Sequence, residues 1–260
     1  HLVYTHGYGL VMSPSDQQGN KPMQWTIQDF GHSVQANKLK AEQLEIYYGL
    51  ADYPYAIVPN TESLPNESTS VGDMSTDYKG HGGMPLSSII QKTIVSSFFK
   101  DSKILFSTGI NSDSRVLVRR NIYKRIKAIA PFLHLDKDAY PVLSNNKIYW
   151  VIDAYTYSNK YPLVKPITLG KNNSTAQAFN YARNSVKIVI DAYNGSVNFY
   201  ATDKQDPIIK TYQRLYPSLF KDITDVPQAM IKHFSYPKAW FNLQMKLYSK
   251  YHQKDPSVFY

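Results

Sequence analysis

The chain has 260 residues, of which 43% are hydrophobic and 19% charged, with 29 basic against 20 acidic side chains. Its 22 tyrosines, 11 phenylalanines and 3 tryptophans supply far more buriable apolar area than a disordered chain carries, so a globular region is expected over residues 1–260. The absence of cysteine excludes disulfide frameworks, thiolate metal sites and thiol catalysis.

The first part of the chain alternates aromatic runs with polar turns, and short strands are predicted at 45–49 and 55–58. Residues 60–83 lack apolar periodicity and are rich in Gly, Ser and Thr, which predicts a long mobile connection and a candidate internal boundary. No run reaches the roughly 18 apolar residues of a membrane span, and the chain starts with His1, which favours a soluble region excised from a longer protein.

Two amphipathic helices are predicted next. Pro85 suits a first helical position, and apolar residues recur at helical spacing as far as Phe98, so a helix that packs on the rest of the domain is expected. After a short strand at 104–107, the polar cluster at 111–113 offers an N-cap for a second helix, whose apolar stripe ends at Pro131.

The middle of the chain predicts strands and its end predicts helices. Residues 147–155 and 186–202 are rich in β-branched and aromatic residues, and Asn194-Gly195 predicts a hairpin in the second segment. The predicted helices start at Asp206-Pro207, Pro227, Pro237 and Asp255-Pro256. Strands flanked by helices predict an α+β fold with a mainly antiparallel sheet.

The second predicted helix carries the strongest run of positive charge, because six basic residues and no acidic one fall between Asp113 and Asp136. Arg120, Lys124 and Lys127 recur there at i, i+4 and i+7, which predicts one basic face. This face is either solvated surface or a site for a lipid headgroup or another polyanion. Nucleic acid is not an expected partner, because no nucleic-acid motif accompanies the basic run.

Three carboxylates form a candidate cation loop. Asp136 and Asp138 flank one lysine, and Asp153 lies a strand away. Alternate carboxylates in a loop can share a hard cation such as Ca²⁺, but aspartates that stabilise turns have the same spacing, and the EF-hand pattern is absent. Both alternatives stay open, and no other cofactor is predicted.

Two histidines sit beside glycines, where the backbone can approach a ligand closely. They are His6 and His81. The run His81-Gly82-Gly83 is similar to the oxyanion loop of esterases, but the Gly-x-Ser-x-Gly nucleophile motif that accompanies that loop is absent from the chain. No catalytic residue can therefore be assigned from motifs.

Six segments, in order along nearly the whole chain, resemble a known family. They are YTHGYG at 4–9, RIKAIAPFL at 125–133, WVIDAYTYS at 150–158, NSVKIVIDAYNG at 184–195, DPIIK at 206–210 and YHQKDP at 251–256. Together they resemble the UPF0182 family of uncharacterised prokaryotic membrane proteins. One departure is Asp138-Ala139-Tyr140, where family members tend to have Asp-Pro-Tyr.

The resemblance implies a cellular location but no reaction. It implies a parent protein with several N-terminal transmembrane helices, followed by a large region outside the cytoplasm to which this chain belongs. The expected location is therefore the cell membrane, with this region extracytoplasmic and joined to the membrane through segments absent from the chain.

The leading hypothesis is a non-enzymatic extracytoplasmic module that binds an envelope component or a protein partner. The alternative is a hydrolase or transferase of envelope polymers. Its candidate groups are Asp136, Asp138, Asp153 and Asp191 with His6 or His81. Such an enzyme needs paired carboxylates held about 5–10 Å apart across a cleft.

Overall fold

The computed structural model describes residues 5–17, 19–28, 32–33, 43–60, 78–168, 178–252, 255 and 257. Most of the connection predicted at 60–83, and most of the helix predicted from Asp255, lie outside these residues. Across the described ranges, no helix has both the length and the apolar character needed to cross a bilayer.

The chain divides into two compact units. The first comprises His1–Ile126, Asn145–Ile148 and Asp191–Ser196, and the second comprises Lys127–Ser144, Tyr149–Ile190 and Val197–Tyr260. Residues 60 and 83 both belong to the first unit, and a domain boundary between them stays a prediction.

The first unit contains short strands and three helices. The strands are β1 (Gly7–Tyr8), β2 (Ile27–Gln28), β3 (His32–Ser33), β4 (Glu45–Ile46), β5 (Tyr55–Val58), β6 (Met84–Pro85) and β7 (Arg115–Val118). The helices are α1 (Ile89–Phe99), α2 (Lys103–Phe106) and α3 (Ile122–Ile129), the last of which continues into the second unit. β1 pairs with β4, β2 pairs with β3, and β5, β7 and β6 form a three-stranded antiparallel sheet. The strand predicted at 55–58 is confirmed as β5, whereas that predicted at 45–49 is found only at Glu45–Ile46, as β4.

The second unit is built on a six-stranded sheet. Its strands are β8 (His134–Leu135), β9 (Tyr140–Ser144), β10 (Lys147–Ser158), β13 (Tyr181–Asp191), β14 (Val197–Ala201) and β15 (Phe220–Asp222), and a separate pair is formed by β11 (Ile167–Thr168) and β12 (Ala178–Phe179). The order is β15-β14-β13-β10-β8, with β9 on β10. The helices are α4 (Pro207–Leu215), a 3-10 turn (Ile223–Asp225), α5 (Gln228–Ile231) and α6 (Lys238–Lys250).

The predicted fold class is confirmed, because helices accompany mainly antiparallel sheets. β13 and β14 form the predicted antiparallel hairpin, in which Ile188 faces Phe199. Gly195 adopts φ +70°, a left-handed conformation that glycine reaches without strain, and the Asp191 carboxylate accepts the amides of Tyr193 and Asn194 at 2.8 and 2.9 Å. β14 and β15 pair in parallel.

The helix predicted from Pro85 begins four residues later, at Ile89. Ser88 Oγ accepts the amide of Gln91 at 3.2 Å, and the Gln91 side chain accepts the amide of Ser88 at 3.1 Å. This capping box fixes the helix start, and Pro85 lies in β6 instead.

The expectation that this helix packs through its apolar stripe holds only in part: Leu86 and Val95 belong to the buried core, and Phe99 packs against it. Val95 is the only residue of α1 that is fully buried. Ile90, Ile94 and Phe98 are 68%, 62% and 78% exposed. Helical periodicity therefore identified a helix but not which of its faces is covered.

Between α1 and α3 the predicted order of elements is also wrong. The segment predicted as a strand at 104–107 is α2, in which Ile104 is buried. The polar cluster at 111–113 forms a turn, because Asn111 Oδ1 accepts the amide of Asp113 at 3.0 Å. β7 follows that turn, because Val116 and Leu117 are both buried in the small sheet.

Candidate functional site

The structure removes Arg120 from the predicted basic face. Arg120 stands two residues before α3, whose first turn is capped by Asn121, since the side chain of Asn121 accepts the amide of Lys124 at 3.1 Å. Only 5% of Arg120 is exposed. Its guanidinium donates to the carbonyl oxygens of Tyr47 at 2.7 Å and Thr5 at 2.6 Å, so its charge is held inside the first unit.

Two further arginines of the basic run also donate to carbonyl groups. Arg115 donates to the carbonyl of Gly82 at 2.7 Å, and Arg125 donates to that of Gly195 at 2.6 Å. The Arg125 guanidinium also lies 4.6 Å from the centre of the Tyr48 ring. These contacts hold loops in place, so much of the basic run is structural.

The remaining members of the predicted face, Lys124 and Lys127, lie in α3 and are exposed. Lys124 forms an ion pair with Asp52, and both side chains are more than half exposed. An exposed pair of this kind contributes little to stability, so the lysine stays available to a ligand. Anion binding by these two lysines stays a prediction.

A groove of about 570 Å³ opens beside α1 in the first unit. Its volume falls within the range of roughly 300–1,000 Å³ that ligand pockets occupy. Its apolar walls come from Pro54, Met84, Ile94, Val95, Phe98, Phe99 and Val118. Its polar lining comes from Asp52, Tyr53, Arg119, Arg120, Asn121 and Lys124. The groove is thus lined by apolar and by mainly cationic side chains, and we call it the α1 groove.

Arg119 is the most distinctive residue of the α1 groove. It is exposed and adopts φ +50°, a left-handed conformation that costs a non-glycine residue about 1–2 kcal/mol. Within the described part of the chain its guanidinium has no hydrogen-bond or ion-pair partner. Strained residues cluster at functional sites, and an arginine of this kind suits a carboxylate or phosphate.

Sequence reasoning did not single out Arg119. It follows Val118 and precedes Arg120, and spacing alone cannot tell which arginine turns inward. The apolar walls were missed as well, because Ile94 and Phe98 had been expected to pack. No sequence signal distinguishes them from core residues.

The two histidines have different surroundings. The His6 ring lies 4.9 Å from that of Tyr47, and burial, helped by the charge of Arg120, lowers the pKa of His6 from 6.5 to about 4. His81 is exposed, and its amide donates to Asn194 Oδ1 at 3.0 Å. A Cβ atom at Gly82 would lie 2.3 Å from the carbonyl oxygen of Asn194, so close backbone packing explains that glycine.

The structure brings two of the three predicted carboxylates together. The amide of Asp136 donates to the carbonyl of Asp153 at 2.8 Å, and both side chains are buried. Asp136 accepts from the Tyr155 hydroxyl at 2.5 Å and from the amide of Asp138 at 3.1 Å. The Asp138 side chain is exposed. Asp136 therefore acts as a turn cap.

Asp153 is paired with a buried lysine that sequence reasoning missed. Lys187 Nζ lies 2.6 Å from Asp153 Oδ1 and donates to the carbonyl of Ser235 at 2.7 Å. Burial raises the pKa of Asp153 although Lys187 opposes that change. In the described residues, no group of three or more His, Cys, Asp or Glu side chains could hold a metal ion. Calcium binding at Asp136, Asp138 and Asp153 stays a prediction.

Comparison with known proteins gives the family. The model of UPF0182, an uncharacterised protein family, matches residues 1–260. The chain belongs to the UPF0182 family. It is 41% identical over 261 residues to a UPF0182 protein of Methylococcus capsulatus, 42% over 266 residues to one of Nitrosococcus oceani, and 39% over 262 residues to one of Methanospirillum hungatei.

Each of these alignments covers 100% of this UPF0182 chain but only 29%, 30% and 29% of those relatives. The chain therefore spans less than a third of their length. No solved structure matches it. The predicted family is confirmed, and the family carries no assigned reaction, so a functional conclusion rests on the geometry of the site.

Proposed function

We propose that this region is a binding module on the outer side of the cell membrane and that the α1 groove binds an amphipathic anion. The expected ligand has an apolar chain and a carboxylate or phosphate headgroup. The extracytoplasmic location rests on the expectation drawn from the six motif segments.

One observation carries the proposal: a groove of about 570 Å³ with many apolar lining residues is also lined by Arg119, which has no partner among the described side chains. The walls formed by Phe98, Phe99 and Val118 exclude water from an apolar chain. Arg119 and Lys124 line the same groove and would pair with the headgroup. The groove thus offers apolar side chains to the ligand's chain and cationic side chains to its headgroup.

The enzyme alternative has weaker support in the described residues. Asp153 is neutralised by Lys187, and Asp191 caps the β13–β14 turn. The Asp136 carboxylate already accepts hydrogen bonds from the Tyr155 hydroxyl and from the amide of Asp138. None of these carboxylates lines the α1 groove.

Calorimetric titration with single-chain lipids below their micelle-forming concentration tests the proposal. Lysophosphatidylglycerol is the anionic probe, and lysophosphatidylcholine of equal chain length is the neutral control. We expect the anionic lipid to bind about tenfold more tightly, a difference of roughly 1.4 kcal/mol, because its net charge is paired by arginine.

The variant Arg119→Asn removes the charge, and asparagine tolerates the left-handed backbone at this position. We expect it to weaken binding of the anionic lipid about tenfold. Lys100→Asn is the matched control, because Lys100 is also exposed, has φ +53° and lies outside the groove lining. No binding by the unmodified chain, or equal affinity in Arg119→Asn, would contradict the proposal.

A further inference from the structure

Five large apolar side chains of α1 and α2 stand out from the surface of the first unit. Their exposed fractions are 64% for Ile89, 68% for Ile90, 62% for Ile94, 78% for Phe98 and 77% for Phe106. We call Ile90, Ile94 and Phe98 of α1, together with Phe106 of α2, the α1–α2 face; Ile89 lies on the opposite side of α1 from Phe98, nine residues away. Ile90, Ile94 and Phe98 recur every four residues, so they form one ridge about 12 Å long along α1.

The α1–α2 face lies on well-anchored helices. Val95 and Ile104 are buried beneath it. The segment between the helices is fixed at Asp101, which accepts the Tyr55 hydroxyl at 2.5 Å and whose carbonyl accepts the Ser96 hydroxyl at 2.8 Å. The exposed side chains are therefore presented by a folded scaffold.

Positive charge is concentrated in the same part of the chain. Residues 84–127 contain nine basic and two acidic residues. Four of the basic side chains donate to backbone carbonyls, and the exposed ones are Lys100, Lys103, Arg119, Lys124 and Lys127. No acidic residue occurs between Met84 and Lys100. Lys100 and Lys103 are exposed at the end of α1 and the start of α2.

We infer that the α1–α2 face docks on the surface of an anionic lipid bilayer, with its ridge among the lipid headgroups and its lysines against their phosphates. Exposed apolar side chains with exposed lysines in or directly after the same helices, here Lys100 and Lys103, are the arrangement by which amphipathic helices bind such interfaces. A second copy of the chain is disfavoured as the occupant, because pairing two such surfaces would bring like charges together.

This inference deepens the proposed function and rests on it for one point, the source of the ligand. Ile94 and Phe98 belong both to the α1–α2 face and to the α1 groove. A bilayer that covers the face would therefore meet the groove and supply its ligand. Ile90 and Phe106 belong to the face alone, which allows the two proposals to be tested separately.

Sedimentation with lipid vesicles tests the inference. Vesicles of phosphatidylglycerol and phosphatidylcholine in equal amounts are compared with vesicles of phosphatidylcholine alone. We expect the chain to bind the anionic vesicles at least tenfold more tightly, with affinity falling as salt rises. The double variant Ile90→Ser, Phe106→Ser should weaken vesicle binding about thirtyfold, because two apolar side chains no longer enter the interface.

The matched control is Phe241→Ser, Met245→Ser, which removes two side chains of α6 that are 52% and 47% exposed. We expect this control to leave vesicle binding unchanged. Equal binding to neutral vesicles, no binding to either, or equal losses in both double variants would overturn the inference. A dimer that dissociates in the Ile90→Ser, Phe106→Ser variant, seen by analytical ultracentrifugation, would also overturn it in favour of a self-interface.

Titration of Ile90→Ser, Phe106→Ser with lysophosphatidylglycerol separates the two proposals. If this variant loses vesicle binding but keeps the single-chain lipid, both proposals stand. If the unmodified chain binds the single-chain lipid and no vesicle, the docking inference alone fails. If it binds anionic vesicles and no single-chain lipid, the groove proposal fails, and with it the inferred source of a ligand.

Discussion

Consecutive arginines at 119 and 120 show how one backbone conformation separates two roles. The left-handed φ of +50° at Arg119 leaves that side chain exposed at the α1 groove. Arg120 instead points into the first unit and donates to two carbonyl groups. Because both of these bonds are charge-assisted and buried, Arg120 holds the segments around Thr5 and Tyr47 together.

His6 lies beside this buried arginine, and its titration gives a prediction. The pKa of His6 is about 4 in the folded chain against 6.5 in an unfolded one, so folding favours the neutral imidazole. Stability due to this group is complete above pH 6.5 and is lost as the pH falls toward 4, by about 2–3 kcal/mol at pH 4.5.

Urea unfolding at pH 7 and pH 4.5 measures the effect. The variant His6→Gln cannot become charged, so its free energy of unfolding should fall less between the two pH values than that of the unmodified chain. The carboxyl groups titrate in the same way in both proteins, so their contribution to the change in stability cancels in the comparison. Identical losses in the two proteins would show that His6 is not the group responsible.

At the scale of secondary-structure elements, the start of α4 is anchored by a buried cap. Its N-cap, Asp206, is fully buried and accepts from Ser185 at 2.5 Å, Tyr181 at 2.8 Å and the amide of Ile208 at 3.0 Å, as well as from Thr156. Burial raises the pKa of Asp206, but these hydrogen bonds outweigh burial and leave the pKa below its usual value.

Replacing this cap gives a second stability prediction. Asp206→Ala should lower the free energy of unfolding by about 4 kcal/mol, because it removes the helix cap and leaves buried hydroxyl groups without their acceptor. Asp222 caps the following 3-10 turn but is exposed to water, so Asp222→Ala should have a much smaller effect. Similar urea midpoints for the two variants would contradict this account of α4.

The sequence predicts some of these elements well for a local reason. Asp206-Pro207, Pro227 and Pro237 mark the starts of α4, α5 and α6, and Asn194-Gly195 marks the β13–β14 turn, because each signal acts within a few residues. The region 103–118 was misread because its short apolar runs fit a strand or a helix equally well. Burial of Ile104 selects the helix α2, and pairing with β5 selects the strand β7. Both depend on residues far away in the sequence.

At the scale of the whole molecule, composition and element order predict the α+β class, whereas the α1 groove depends on segments far apart in sequence. Its lining comes from residues 52–54, 84, 94–95, 98–99, 118–121 and 124. Periodicity describes one segment at a time and assigns the apolar side of a helix to the core by default. It therefore could not identify Ile94 and Phe98 as groove walls.

The central claim is that an amphipathic anion binds in the α1 groove, and amide chemical-shift mapping tests it most directly. The ¹⁵N-labelled chain is titrated with lysophosphatidylglycerol below its micelle-forming concentration. We predict that the largest shifts fall at residues 52–54, 94–99 and 118–124. Shifts that centre on Asp153 and Lys187, or on the two histidines, or no shifts at all, would contradict the claim.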